Sequence, residues 1–167
     1  GGEPARPARP PVRRRPRHED RARCPRWVRG SYASGMAVLL YADERFEHHD
    51  TGPNHPERAA RLPAVIHGLA SHDLLEGLER TEPRPATDAE LHLVHPERYV
   101  ASIDNFCEAG GGHIDADTVV SGESAAVARL AAGSGIDAVE RLRAGTADSA
   151  FLALRPPGHH ATATRAM

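Results

Sequence analysis

The chain has 167 residues, 40% of them apolar and 26% charged, with 15 Gly, 14 Pro and 2 Cys. Such proportions suit one soluble domain and exclude a transmembrane bundle, a disulfide-stapled miniprotein and a wholly disordered polymer. The formal charge of -2 averages two unlike pieces: residues 1–35 hold ten Arg against Glu3, Glu19 and Asp20, a net of +7, and the remainder carries -9.

Every basic residue other than His is Arg, and with the abundant Ala, Gly and Pro this composition suggests a GC-rich bacterial genome. Cys24 and Cys107 show no C-x-x-C spacing, so they read as two free thiols of a reducing compartment or as one remote disulfide. No apolar run approaches the roughly 18 residues of a spanning helix, so no membrane association is expected. The start lacks the order of a secretory signal, which makes the cytoplasm the expected compartment.

Residues 1–35 form an Arg/Pro-rich arm with six prolines and almost no aliphatic side chains. Such a segment buries too little surface to offset the entropy of ordering and is expected to be disordered. It reads as a solvated tail, as sequence translated ahead of a true start at Met36, as a loosely fitting transit peptide, or as an arm binding nucleic acid through phosphate contacts.

From Met36 the pattern changes. Ala37–Tyr41 is an apolar run of strand length. A His-rich polar loop follows, in which Asn54 and Glu57 have the spacing of a capping box. Leu62, Val65, Ile66 and Leu69 then mark one face of a helix, with Pro63 in its first turn or at a kink. Thr87 to Glu90 is a second capping pattern, opening a short helix over 91–94, and another helix spans about 96–108. Gly110–Gly112 supplies a turn; it matches neither nucleotide-binding glycine motif. The longest helix, about 124–143 and capped by Asp117 or Ser121, carries the stripe Val127, Leu130, Ala131, Ser134, Ala138 and Leu142, whose small members allow close packing. Ala150–Leu154 is a second buried strand. This alternation predicts an α/β fold: an open parallel sheet with flanking helices.

The strand ends in Arg155-Pro156-Pro157-Gly158-His159-His160-Ala161. Two histidines there would lie outside the carboxyl edge of the sheet, where open α/β proteins bind ligands. Imidazoles titrate near neutrality and can move a proton between water and a leaving group. The prolines fix the backbone, and Gly158 lets a second group come near. His48, His49, Asp50 and His55 crowd one loop and form an alternative divalent-metal cluster, without an established ligand spacing.

The string RPPGHHA resembles the tandem-histidine motif of the histone deacetylase family, in the form of its class II enzymes and of bacterial acetoin-utilisation and acetylpolyamine amidohydrolase relatives. HDTGPNHPERAARL at 49–62, AELHLVHPERYVASI at 89–103 and GGGHIDADTVVSGESAAVARLAAGSGIDAV at 110–139 are similar to that family in the same order. The resemblance covers 36–167 and implies an arginase/deacetylase-like sheet and a zinc-dependent hydrolysis of acetyl-lysine or acetylpolyamine to amine and acetate.

By the same resemblance His160 is the general base and acid, and His159 its electrostatic partner. Gly158 lies in the wall of the acyl tunnel, and Arg61 lines the channel by which acetate leaves. Asp115 or Asp117 holds the substrate backbone. The family's zinc ligands and its carbonyl-polarising tyrosine have no counterpart in this sequence, and Thr162–Met167 departs from the family's tunnel segment. The resemblance thus implies the N-terminal part of a domain with an incomplete sheet, no metal ligands of its own and no activity alone. A non-catalytic remnant that self-associates through the strand at 151–154 is the alternative.

Overall fold

The computed structural model describes residues 36–167; the expectations for the basic arm lie outside the described residues. The central element is β1 (Val38–Tyr41). Leu39, Leu40 and Tyr41 are each exposed by 1% or less, which is why this strand is a continuous apolar run and does not alternate. It is flanked on one side by β2 (Leu78–Arg80) and on the other by β5 (Ser149–Leu152), both parallel to it. Val38 is in register with Leu78 and with Ser149.

Between the strands run α1 (Arg61–Ala70), α2 (Asp88–His92), α3 (Glu97–Glu108) and α4 (Ser124–Ala144). The expected α/β architecture of a parallel sheet with flanking helices is present. An antiparallel ribbon, β3 (Gly111–His113) with β4 (Val119–Ser121), inserts between α3 and α4. No helix among the described residues is long and apolar enough to cross a membrane.

α4 reaches both apolar clusters of the core. Val127 and Leu130 pack with Phe46, Leu62 and Ala153, while Ala138 packs with Leu39, Tyr41 and Ala147. Ser134 lies fully buried in the stripe and satisfies its hydroxyl by donating to the Leu130 carbonyl at 2.8 Å. Tyr41 buries its ring completely and donates its hydroxyl to Asp137 at 2.5 Å, with Arg141 on the same carboxylate at 2.8 Å. Burial, with Asp137 beside it, pushes the Tyr41 phenol up to about 12.

The close approach read from the small residues of α4 is made at Gly133. A Cβ there would meet the Arg84 carbonyl oxygen and lie 2.5 Å from the Ala86 nitrogen. That backbone is also tied to the helix, since the Ala86 N–H donates to the Arg129 carbonyl at 2.8 Å.

Three local expectations are corrected. Asn54 and Glu57 do not cap α1, whose N-cap is Ala60 without a side-chain bond, because the Glu57 carboxylate is engaged by Arg155. Pro63 falls in the first turn of that helix, where its missing N–H costs nothing. Neither Asp117 nor Ser121 caps α4, which has Glu123 at its N-cap. Gly110–Gly112 is more than a turn: Gly111, at φ 76, enters β3 so close to the Val120 carbonyl that no side chain fits. The capping box at Thr87 and Glu90 is formed as expected.

Gly133→Ala should therefore destabilise the chain by about 1–3 kcal/mol through overpacking. Gly135→Ala, two residues along the same helix with open space at its Cβ, should stabilise it by roughly 0.5–1 kcal/mol through helix propensity. Denaturant unfolding of the two variants checks both signs.

Candidate active site at the carboxyl edge of the sheet

Because β1 and β5 run parallel, the loops that leave them emerge on the same edge. The loop after β1 carries His49 to Ala60, and the segment after β5 carries Arg155 to His160. A buried ion pair joins the two. Arg155 is 1% exposed and donates Nε to Glu57 Oε1 at 2.6 Å and Nη2 to Oε2 at 2.9 Å. Its Nη1 donates to the Phe46 carbonyl at 3.1 Å. The fork-to-carboxylate geometry is the strong form of such a pair.

Burial alone would raise the Glu57 pKa, but the Arg155 guanidinium, with His49 and Arg61 nearby, holds it below its ordinary value. His49 completes the network. Its Nδ1 lies 2.7 Å from Ser124 Oγ at the start of α4, and its Nε2 lies 3.5 Å from Glu57. Burial depresses the His49 pKa against the opposing pull of Glu57.

Above this floor opens a cavity of about 580 Å³. One wall is apolar, from Tyr99, Val100 and Ile103 of α3 and Ala125 and Ala128 of α4. The other is polar, from His49, His55, Glu57 and Arg61, and the Pro156–Ala161 segment also lines it. The rings of His159 and His160 meet edge to face, with centroids 4.2 Å apart, and both residues are exposed. Gly158 adopts φ 64, a left-handed conformation that explains a glycine before the pair. Arg61 sits 3.4 Å from Glu57 with its side chain 56% exposed.

Five of the six residues singled out from sequence, His159, His160, Gly158, Arg61 and Asp117, thus line one cavity. Asp115 does not line it. Its carboxylate accepts the Asp117 N–H at 2.9 Å and lies 3.5 Å from Arg165, and the Asp117 N–H is the main reason its pKa is lowered. Sequence reasoning missed the Arg155, Glu57, His49 and Ser124 network. Its one signal was an arginine directly after a buried strand with no acid near it in sequence.

The crowded histidine loop does not converge on a common point. His49 turns to Ser124, His55 accepts the Glu57 N–H at 3.1 Å, and Asp50 accepts the Gly52 N–H at 2.8 Å. Among the described residues no group of three or more His, Cys, Asp or Glu could hold a metal ion. A catalytic zinc takes three protein ligands, so the described residues do not fit one by themselves.

A parallel sheet with flanking helices and two adjacent histidines on a cavity at its carboxyl edge is an α/β architecture of the deacetylase kind, and comparison with known proteins agrees on the fold. The histone deacetylase domain model matches residues 55–167, and the chain belongs to that family. The matched span runs through Thr162–Met167.

The histone deacetylase-like amidohydrolase of Pseudomonas aeruginosa is 36% identical over 114 residues, 67% of this chain and 29% of that protein. Histone deacetylase 15 of Arabidopsis thaliana is 33% identical over 145 residues, covering 83% of this chain and 26% of the relative. The crystal structure of the HDA15 HD domain superposes with a TM-score of 0.74 at 32% identity, over 80% of this chain and 39% of that one. The chain thus spans less than half the length of the relatives it matches.

The network predicts an acid limb to stability. Glu57 has a depressed pKa, so its contribution is complete above its ordinary 4.5 and is lost as pH falls through its folded value. His49, a base with a depressed pKa, also weakens the fold as pH drops below its ordinary 6.5, because the unfolded chain then binds the extra proton. Glu57→Gln should cost about 3–5 kcal/mol at pH 7 by stranding Arg155 and should flatten the limb below pH 4.5. Urea unfolding from pH 7 to pH 3.5 measures both effects.

Proposed function

We propose that the chain carries the proton-handling and acyl-binding side of a zinc-dependent acetyl-amide hydrolase site, and that the zinc ligands come from the part of the family domain that the chain does not span. The observation that carries this reading is the His159–His160 pair on a cavity shared with Arg61, Gly158 and Asp117. In this reading His160 takes a proton from the attacking water and returns it to the leaving amine, while His159 supports the charge that forms. The bound zinc would supply Lewis-acid polarisation of the acetyl carbonyl.

Arg61 is the cation placed to hold the acetate product, and Asp117 the carboxylate placed to accept an N–H of the substrate. The apolar wall from α3 and α4 suits the methylene chain of an acetyl-lysine or an acetylpolyamine. On this reading residues 36–167 supply neither a zinc ligand set nor the oxyanion support, and no turnover is expected of them alone.

Metal content and acetate release from acetyl-lysine peptide and from acetylspermidine test this on the purified chain. Neither stoichiometric zinc nor turnover is expected, and finding both would overturn the reading. In a domain completed with the remaining family residues, His160→Ala should lower kcat by about 10²–10⁴-fold, the usual share of a general acid and base. A second reading, self-association along β5, is favoured by Phe151, an aromatic side chain 42% exposed on that strand. Sedimentation of the chain and of Phe151→Lys decides it: a dimer lost in the variant supports strand pairing.

A further inference from the structure

The segment that follows the tandem histidines is folded back and held from outside. The Ala161 N–H donates to the Gly158 carbonyl at 3.0 Å, and the Thr162 N–H donates to the Arg165 carbonyl at 2.9 Å, closing a small antiparallel bridge. Two side chains from distant parts of the sequence fix this loop. His95, in the turn between α2 and α3, donates Nδ1–H to the Ala163 carbonyl at 2.9 Å. Asp115, after β3, reaches Arg165 at 3.5 Å.

His95 is itself held. Its backbone N–H donates to the Leu91 carbonyl at 2.9 Å, and its ring packs against Tyr99 one turn along, with centroids 5.3 Å apart. Both rings line the cavity that His159 and His160 face.

The histidine pair is approached from its N-terminal side by a rigid stretch, in which Arg155 is locked to Glu57 and two prolines follow. On its C-terminal side the described residues form the isolated Thr162–Arg165 bridge and no named strand or helix. We propose that His95 is a positioning residue: its hydrogen bond to Ala163 holds the C-terminal side of the His159–His160 turn and so sets where the two imidazoles sit over the cavity. The ion pair of Asp115 with Arg165 is the second, weaker tether, exposed to water at Arg165. The inference rests on the reading of His159 and His160 as the proton-handling pair only for its functional meaning; the tether itself is a matter of geometry.

Backbone hydrogen exchange over 158–166, together with the imidazole resonances of His159 and His160, tests this on the full 167-residue chain. His95→Ala should speed exchange in 158–166 by roughly three- to tenfold, as expected for loss of one hydrogen bond in a local opening. It should leave exchange in β1 and β5 unchanged and shift the resonances of both histidines. His95→Asn places an amide N–H near the position of Nδ1 and should restore the parent exchange and resonances.

Unchanged exchange and resonances in His95→Ala would overturn the proposal. So would a folded His95→Asn that behaves like the alanine variant. If His95→Ala also loosens the sheet, the asparagine variant decides between these outcomes. None of these measurements requires zinc, substrate or turnover, so the deacetylase reading can fail while the tether stands, and the reverse.

Discussion

The site depends on one buried pairing, that of Arg155 with Glu57. Each partner comes from a loop that would otherwise be free to choose its path: Arg155 from the exit of β5, Glu57 from the long loop after β1. Parallel strands bring those exits to one edge, but only a charge that must find its counter-charge fixes the two loops against each other. A guanidinium with 1% exposure would be intolerable alone. With both oxygens of Glu57 and the Phe46 carbonyl around it, the same group becomes a rigid post. His49 and Ser124 extend that post to the start of α4, so the loop carrying the polar cavity wall and the helix carrying part of the apolar one share a single hydrogen-bonded base.

This arrangement separates stability from chemistry. The residues at the floor are paired, with the pKa values of His49 and Glu57 both lowered, whereas the histidines beside the cavity are exposed and meet edge to face. On the proposed reading the exposed pair is the one that moves protons, which requires access to water, whereas a structural ion pair is served by burial. Pro156, Pro157 and Gly158 are all that stand between the two regimes, which is why the change of environment is so abrupt.

Much of the frame was legible because its signals are local. Ala37–Tyr41 and the stripe of α4 declare burial in their own composition, and the position of the histidines at the carboxyl edge could be read because they follow a buried strand directly. β2 was not legible: Leu78-Glu79-Arg80 has neither length nor alternation, and it is a strand because the backbone of β1 offers it a ladder. The β3–β4 ribbon was hidden for a similar reason, since glycines write no side-chain pattern. Glu57 was misread because an Asn-x-x-Glu spacing has a local meaning, helix capping, and its actual partner lies 98 residues away. Of the two candidate acids, Asp117 reached the cavity and Asp115 did not, a distinction set by turn geometry that their shared spacing could not reveal.

The order of the strands has a consequence for how the chain is made. Among the described strands β1 is the middle one of its sheet and the earliest in sequence, yet one of its two partners comes much later: the Ala37 N–H that bonds Asp148 waits for a residue 111 positions on. At about 5–20 residues per second on the ribosome, the apolar edge of Leu39, Leu40 and Tyr41 stays open for roughly 5–20 s before β5 can close it. Such a topology is slow by its contact order. During that interval the apolar strand lacks one of the two neighbours that bury it in the finished fold.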